Sequence, residues 1–242
     1  MEPDEYARIA AAEDEHWWYQ GTRALAAQLL DPWLGRPGLF LDAGCGPGGN
    51  GAWLAERGTV VGVDRAVEAL ALLGARHPDV LAARATLDQL PFPDACFDVV
   101  LCLTVLYTVR DDGAALGELA RVVSPGGAVL LIEPAFAALR RAHDTTVHGR
   151  RRYRRAELAQ RARAAGLHVQ RSTYAFSFLA PPAAALALAD RVLPPRKVSP
   201  SDVERRGLDR AFAPLARAER RVLARRNLPV GTSVVVLATR ER

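Results

Sequence analysis

The sequence predicts an α/β fold, an open doubly wound sheet with helices on both faces, and three observations carry that prediction. Short apolar runs alternate with helix-patterned ones from Gly38 onward, which calls for parallel strands joined by helical crossovers. The first of these runs leads directly into a glycine-rich turn, "LDAGCGPGGNG", Leu41 to Gly51. The second, "TVVGVD", ends in an acid, Asp64, at the distance expected for an acid that reads a ribose in such folds.

The elements follow in order. "GLFLDAG" is the first strand, and "NGAWLAERG" has helical spacing closed by a glycine suited to a C-cap. "TVVGVD" has the pattern of a buried strand and "AVEALALLGARH" that of a helix; "VLAARA" and "CFDVVLCLTVL" are the third and fourth strands. "DDGAALGELARVV" is a helix and "GGAVLLIEP" the fifth strand, ending at Glu133 and Pro134. "RRAELAQRARAAG" is an amphipathic helix stopped at Gly166, "LHVQRSTYAFSF" the sixth strand and "GTSVVVLATR" the last. The strandless stretch 179–228 is too long for a loop and reads as a helical insertion, a candidate lid. Residues 1–37 form an N-terminal helical cap and 38–242 the core.

Composition bounds the function. Half of the 242 residues are apolar and 24% charged, as in soluble proteins with a sizeable core. The net charge of +5 is mostly arginine, concentrated in 140–171 and 205–226, and admits anionic partners without requiring them. Cys45, Cys96 and Cys102 lack the paired spacing of a zinc site or a disulfide framework, which points to reduced thiols in the cytoplasm. The acidic start "MEPDEYARIAAAEDEHWWYQ" has no signal-peptide core, and no apolar run reaches spanning length.

In an open parallel sheet the ligand lies beyond the carboxyl ends of the strands, so the glycine loop and Asp64 face one crevice. The pattern G-x-G-x-x-G at Gly44, Gly46 and Gly49 literally fits a nicotinamide dinucleotide. Asp42, two residues before Gly44, weighs against it, because a carboxylate there repels a pyrophosphate. It suits a cation instead, and S-adenosylmethionine carries an ammonium and a sulfonium. Asp42 is also open to a purely structural reading, as an acid ordering a tight turn.

"LDAGCGPGG", the acid in "VGVD", "LPFPDACFDVVLC" and "ELARVVSPGGAVLLIEP", in this order and spacing, resemble the class I S-adenosylmethionine-dependent methyltransferases over most of Leu39 to Glu133. The resemblance implies a Rossmann-like seven-stranded sheet, mostly parallel with the last strand antiparallel. It implies that Asp42, Gly44, Gly46 and Gly48 lie along the methionine part of the cofactor, that Asp64 takes the ribose hydroxyls, and that Arg65 lies beside the adenine. Where the family has an acid for the adenine amino group this chain has Thr86, so Thr86 with the Leu87 backbone is the expected substitute, Asp88 being two residues out of register. Leu103 would lie beneath the cofactor. "HWWYQGTR" resembles the opening of a subgroup of the family, with Tyr19 and Arg23 closing on the cofactor carboxylate; the alternative is that the tryptophans anchor the first helix.

For the acceptor, "RRAHDTTVHGRRRYRRAEL" borders the crevice. It supplies His143 and His148 as candidate bases, Asp144 to orient them, and Arg151, Arg152 and Tyr153 to bind substrate; a salt-bridged loop is the competing reading. No metal is expected, since the two histidines and the aspartate lack a third strong ligand at regular spacing. "STYAFSFLAPPAAALALADRVLPP" is an apolar wall that favours a small or lipid-like acceptor, methylated at oxygen or nitrogen. The same stretch also suits a peripheral membrane contact or a dimer interface. Two further readings stand beside it. One is a cyclase or scaffold that binds S-adenosylmethionine without transferring its methyl. The other is a nucleic-acid-binding protein or RNA methyltransferase, disfavoured because the arginine segments contain only Tyr153 and Phe212 for stacking.

Overall fold

The computed structural model describes residues 3–192 and 209–241. Seven strands form one sheet: β1 (Gly38–Ala43), β2 (Gly58–Asp64), β3 (Val80–Arg84), β4 (Phe97–Leu103), β5 (Val123–Pro134), β6 (His168–Ala175) and β7 (Ser233–Thr239). Their order is β3-β2-β1-β4-β5-β7-β6. Every pairing from β3 to β5 is parallel, and β7 runs antiparallel between β5 and β6. Six strands therefore point one way and the last the other, as expected.

The order reverses between β1 and β4, which opens the crevice above β1 and β2. The central strands are apolar on both faces because helices cover both. One core layer joins Leu41, Val100, Leu131 and Val236 to Leu116, Leu119 and Leu158. The other joins Phe40, Leu101, Leu130 and Val235 to Leu25, Leu29 and Leu73.

Eight α-helices are described: α1 (Pro3–Ala12), α2 (Trp17–Leu30), α3 (Val67–Arg76), α4 (Asp112–Val122), α5 (Ala142–Thr146), α6 (Arg155–Ala164), α7 (Ala180–Val192) and α8 (Asp209–Leu223). Side-chain acceptors start two of them: His16 Nδ1 accepts from Trp18 N (3.2 Å) before α2, and Asp111 Oδ1 accepts from Ala114 N (2.9 Å) before α4. Gly166, with φ +88°, closes the turn after α6.

One crossover departs from the expected helix. "NGAWLAERG" forms only a 3-10 turn, Ala52–Glu56, because the glycine loop consumes the chain up to Gly51. Gly58 is not a helix cap but the first residue of β2, paired with Gly38, where a Cβ would fall 2.1 Å from the Gly38 carbonyl oxygen.

α1 and α2 form the N-terminal segment. Trp17 sits among Phe176, Phe178 and Phe212, with ring centroids 5.8, 5.8 and 5.2 Å away. Such aromatic packing fixes α2 to the segment after β6 and to α8. Within the stretch 179–228, α7 and α8 are helical as expected, while residues 193–208 of that reading lie outside the described ones. No helix among the described residues is long and apolar enough to cross a membrane.

Candidate active site

The glycine loop leaves β1 and folds back over its end. Gly44 N and Cys45 N both donate to Val63 O (2.7 and 2.9 Å), and Gly46 N donates to Asp64 Oδ2 (3.1 Å). Asp64 also accepts from Ala66 N through Oδ1 (2.9 Å), so its carboxylate holds the loop and the start of α3 together. Gly44 has φ +82°, and a Cβ there would lie 2.5 Å from Val105, so only glycine serves. Over Gly46, at φ +52°, nothing lies within 4 Å of the Cβ position, and the backbone there is open to a ligand. Gly48, at φ +99°, turns the loop against Leu73.

Asp42 is 2% exposed, and its Oδ2 has no hydrogen-bond partner. Burial, with Glu13 and Asp64 nearby, pushes its carboxyl up to about 7. Asn50 Oδ1, in the same loop, is a second buried acceptor without a partner. Two unsatisfied buried acceptors, one of them turned toward Gly51, suit a ligand that donates hydrogen bonds, an ammonium above all.

The N-terminal segment grips this loop by contacts that sequence reasoning missed. Glu13, 1% exposed, accepts from Gly49 N (3.2 Å) and pairs with Arg76, whose other nitrogen reaches Asp14 (2.8 Å). Arg23 donates to Glu13 O (2.8 Å) and Gly49 O (3.3 Å), so it ties cap to loop. Those bonds differ from the expected reach toward a cofactor carboxylate: the carbonyls of the cap and loop are the nearer partners. The acidic run "AEDEH" was the available signal. Tyr6 on α1 is also buried, and its phenol is pushed up to about 12 by burial and by Asp64.

Other expected cofactor residues sit around the same end of the sheet. Leu103 is buried at the end of β4. Arg65 is exposed, as is Thr86; Ala85 N donates to Asp64 O (3.2 Å), which brings Thr86 and the buried Leu87 beside β2.

Beyond β4 and β5 lies a cavity of about 440 Å³. Its walls are apolar (Ile9, Trp17, Leu139, Val147, Leu179, Leu186), and its polar groups include Glu5, Tyr19, Thr104, Tyr107 and Arg152. Glu133 shapes one wall: its Oε1 accepts from Val105 N (3.1 Å) and Leu106 N (2.9 Å), and its Oε2 from Tyr107 N (3.1 Å). Burial nevertheless pushes this carboxyl up to about 8.

The histidine-arginine segment is mostly structural, and several expected roles are corrected. Tyr153 is fully buried and donates to Asp112 Oδ2 (2.8 Å), so it does not line the cavity. Arg151 also serves Asp112 (2.7 Å) and the carbonyl of Arg110 (2.6 Å). Asp144 is held by Arg152 through both oxygens (2.7 and 3.0 Å) and by Arg141 N (2.9 Å). Asp144 and Arg152 do line the cavity. His148 is exposed, at φ +59°, and is not in the cavity wall; the His143 side chain lies outside what the structure describes. Tyr153→Phe is expected to cost about 1 kcal/mol in urea unfolding and to leave cofactor affinity unchanged in calorimetry.

A doubly wound sheet with a glycine loop after β1, a carboxylate ending β2 and an adjoining apolar cavity is the architecture of domains that bind a nucleoside cofactor. Residues 41–131 match the methyltransferase domain family model. The chain is 30% identical over 165 residues to a probable S-adenosylmethionine-dependent methyltransferase of Mycolicibacterium smegmatis, covering 67% of this chain and 63% of that protein. It is 32% identical over 155 residues to a malonyl-acyl-carrier-protein O-methyltransferase of Pseudescherichia vulneris, covering 60% and 61%. The chain thus spans about three fifths of the length of these curated relatives. Among solved structures, the cyclase SpnF superposes with TM-score 0.61 at 20% identity over 93% of this chain and 83% of the other, a likeness of fold alone. Residues 41–131 thus carry a domain of the methyltransferase family, and the relative named as S-adenosylmethionine-dependent supports S-adenosylmethionine as its cofactor. The residues present fit that cofactor: Asp42 and Asn50 offer acceptors to its ammonium, Gly46 an open backbone, and Asp64 a carboxylate at the ribose position.

Proposed function

We propose that the protein transfers the methyl group of S-adenosylmethionine to a small, mainly apolar acceptor, at oxygen or nitrogen. The observation that carries this reading is the 440 Å³ cavity, apolar in its walls, with a few polar groups set into them. Tyr19 links it to the cofactor side: it is buried in the cavity wall, and its phenol feels both Glu13, which holds the glycine loop through Gly49 N, and Tyr107. The relative named as an O-methyltransferase supports oxygen as the atom methylated.

The cofactor, when bound, supplies the methyl group on a sulfonium that is already a good leaving group. The chain's own residues have three tasks: to hold the cofactor by Asp42, Asp64 and the glycine loop, to orient the acceptor, and to exclude water. Residues 1–37 act as the cap, and α7 with α8 as the lid, since Leu179, Pro182, Leu186 and Phe212 enclose the cavity. Free Cys45, Cys96 and Cys102 suit the reducing cytoplasm.

The test is calorimetric titration with S-adenosylmethionine and S-adenosylhomocysteine, followed by mass spectrometry of hydroxylated and amine-bearing amphiphiles incubated with the enzyme. Micromolar cofactor binding and a gain of one methyl group on an acceptor are expected. Binding without transfer to any acceptor in the panel would favour a non-transferring role such as cyclisation.

A further inference from the structure

Glu5 has no part in the cofactor site, yet it is a carboxylate only 3% exposed in the wall of an apolar cavity. Burying a carboxylate there is costly unless something binds it. Arg8 answers in part: its Nη1 lies 3.3 Å from Glu5 Oε2, but its side chain is 53% exposed, at the rim. Oε1 takes no hydrogen bond among the described residues.

The other charged groups of the wall are engaged with each other. Asp144 has both oxygens on Arg152 and accepts the Arg141 backbone N–H, while the Arg141 side chain pairs with Asp190 (2.7 Å). His16 spends Nδ1 on the start of α2. Tyr19 and Tyr107 line the same cavity as Glu5, and its charge opposes the ionisation of both phenols. The two phenols stay protonated, burial being the main cause.

We propose that Glu5 is the recognition point of the acceptor subsite, receiving a hydroxyl or N–H of a ligand whose remaining body is apolar, with Tyr19 and Tyr107 in the same cavity. This rests on the methyltransferase reading and narrows its substrate class. Acceptors carry a hydrogen-bond donor at one end and hydrocarbon at the other; methylation of a hydroxyl replaces its proton, which is released to solvent, so the ether product has lost that donor, binds less well and leaves.

Thymol and thymol methyl ether test the proposal, since the ether lacks the donor, and the Glu5 variants control for its added methyl. Titrations against the full chain loaded with S-adenosylhomocysteine are read by the fluorescence of Trp17 and Trp18, which line the cavity. A hydrogen bond to a charged group predicts that thymol binds about tenfold or more tightly than its ether. The ratio falls to about one in Glu5→Leu and partway in Glu5→Gln, which retains a neutral acceptor and the side-chain shape. Equal affinities in the native chain, or a preference unchanged in Glu5→Gln and Glu5→Leu, overturn the proposal. Calorimetry with S-adenosylhomocysteine separates the two readings. If the cofactor binds while the thymol preference is absent, the subsite fails alone. If the cofactor does not bind but the preference is present in its absence, the methyltransferase reading fails and the subsite stands.

Discussion

Asp42→Asn is expected to weaken S-adenosylmethionine binding by about ten- to a hundredfold, the value of one charge-assisted hydrogen bond. It is also expected to stabilise the cofactor-free protein above neutral pH. Both expectations come from one atom: a buried carboxylate oxygen without a partner destabilises the empty fold, and a cation is the ligand that relieves it. The pH dependence has a definite sign. The Asp42 carboxyl titrates near 7 in the folded chain, far above its ordinary value, so the empty native state holds a proton that an ammonium ligand would displace. Cofactor affinity should therefore rise as pH increases toward about 7 and level off above it, and Asp42→Asn should flatten that rise. Calorimetry at a series of pH values, in buffers of different ionisation enthalpy, measures the released proton directly. An affinity independent of pH between 5.5 and 8 would show that Asp42 does not meet the cation.

Glu133→Ala should be the most damaging single change to stability. It strips partners from three buried or half-buried backbone N–H groups, of Val105, Leu106 and Tyr107, and each unsatisfied group costs about 1–3 kcal/mol. We expect a loss of about 3 kcal/mol or more in urea unfolding, with the wall carrying Thr104 and Tyr107 loosened. The native carboxyl is raised to about 8 by burial, so between its ordinary value and 8 the folded state binds a proton that the unfolded chain has lost. Its contribution is thus full at low pH and disappears as pH rises through 8. Asp42 acts in the same direction, so the cofactor-free protein should have a higher urea midpoint at pH 5.5 than at 8.5 as far as these two groups determine it.

The loop between β1 and β2 is legible because it depends on local sequence. A glycine loop between an apolar strand and a second strand ending in Asp64 can be arranged in few ways, and Gly46 N meets the Asp64 carboxylate as that pattern requires. The acceptor half was not legible. Tyr153 and Arg151 were chosen for chemistry visible in a polar cluster, but Asp112, 41 residues upstream of Tyr153, claims both, and nothing in either segment announces that pairing. Glu5 and Glu13 went unnoticed for the converse reason. In an acidic helical start they look like solvated charges, and only the docking of α1 and α2 over the sheet buries them. The missing crossover helix is a smaller case: helical periodicity after Gly51 was real, but the strands on either side left too little chain for it.

The antiparallel strand β7 has a consequence for how the molecule is made. The last strand of the chain lies inside the sheet, between β5 and β6, so those two cannot pair through it until residues 233–239 have emerged. From the completion of β6 at Ala175 until Thr239 has been made, a growing chain therefore presents two open apolar edges, the kind of surface on which neighbouring chains polymerise. Closing the sheet is a single late, long-range event that brings Val235 and Leu237 against strands completed long before.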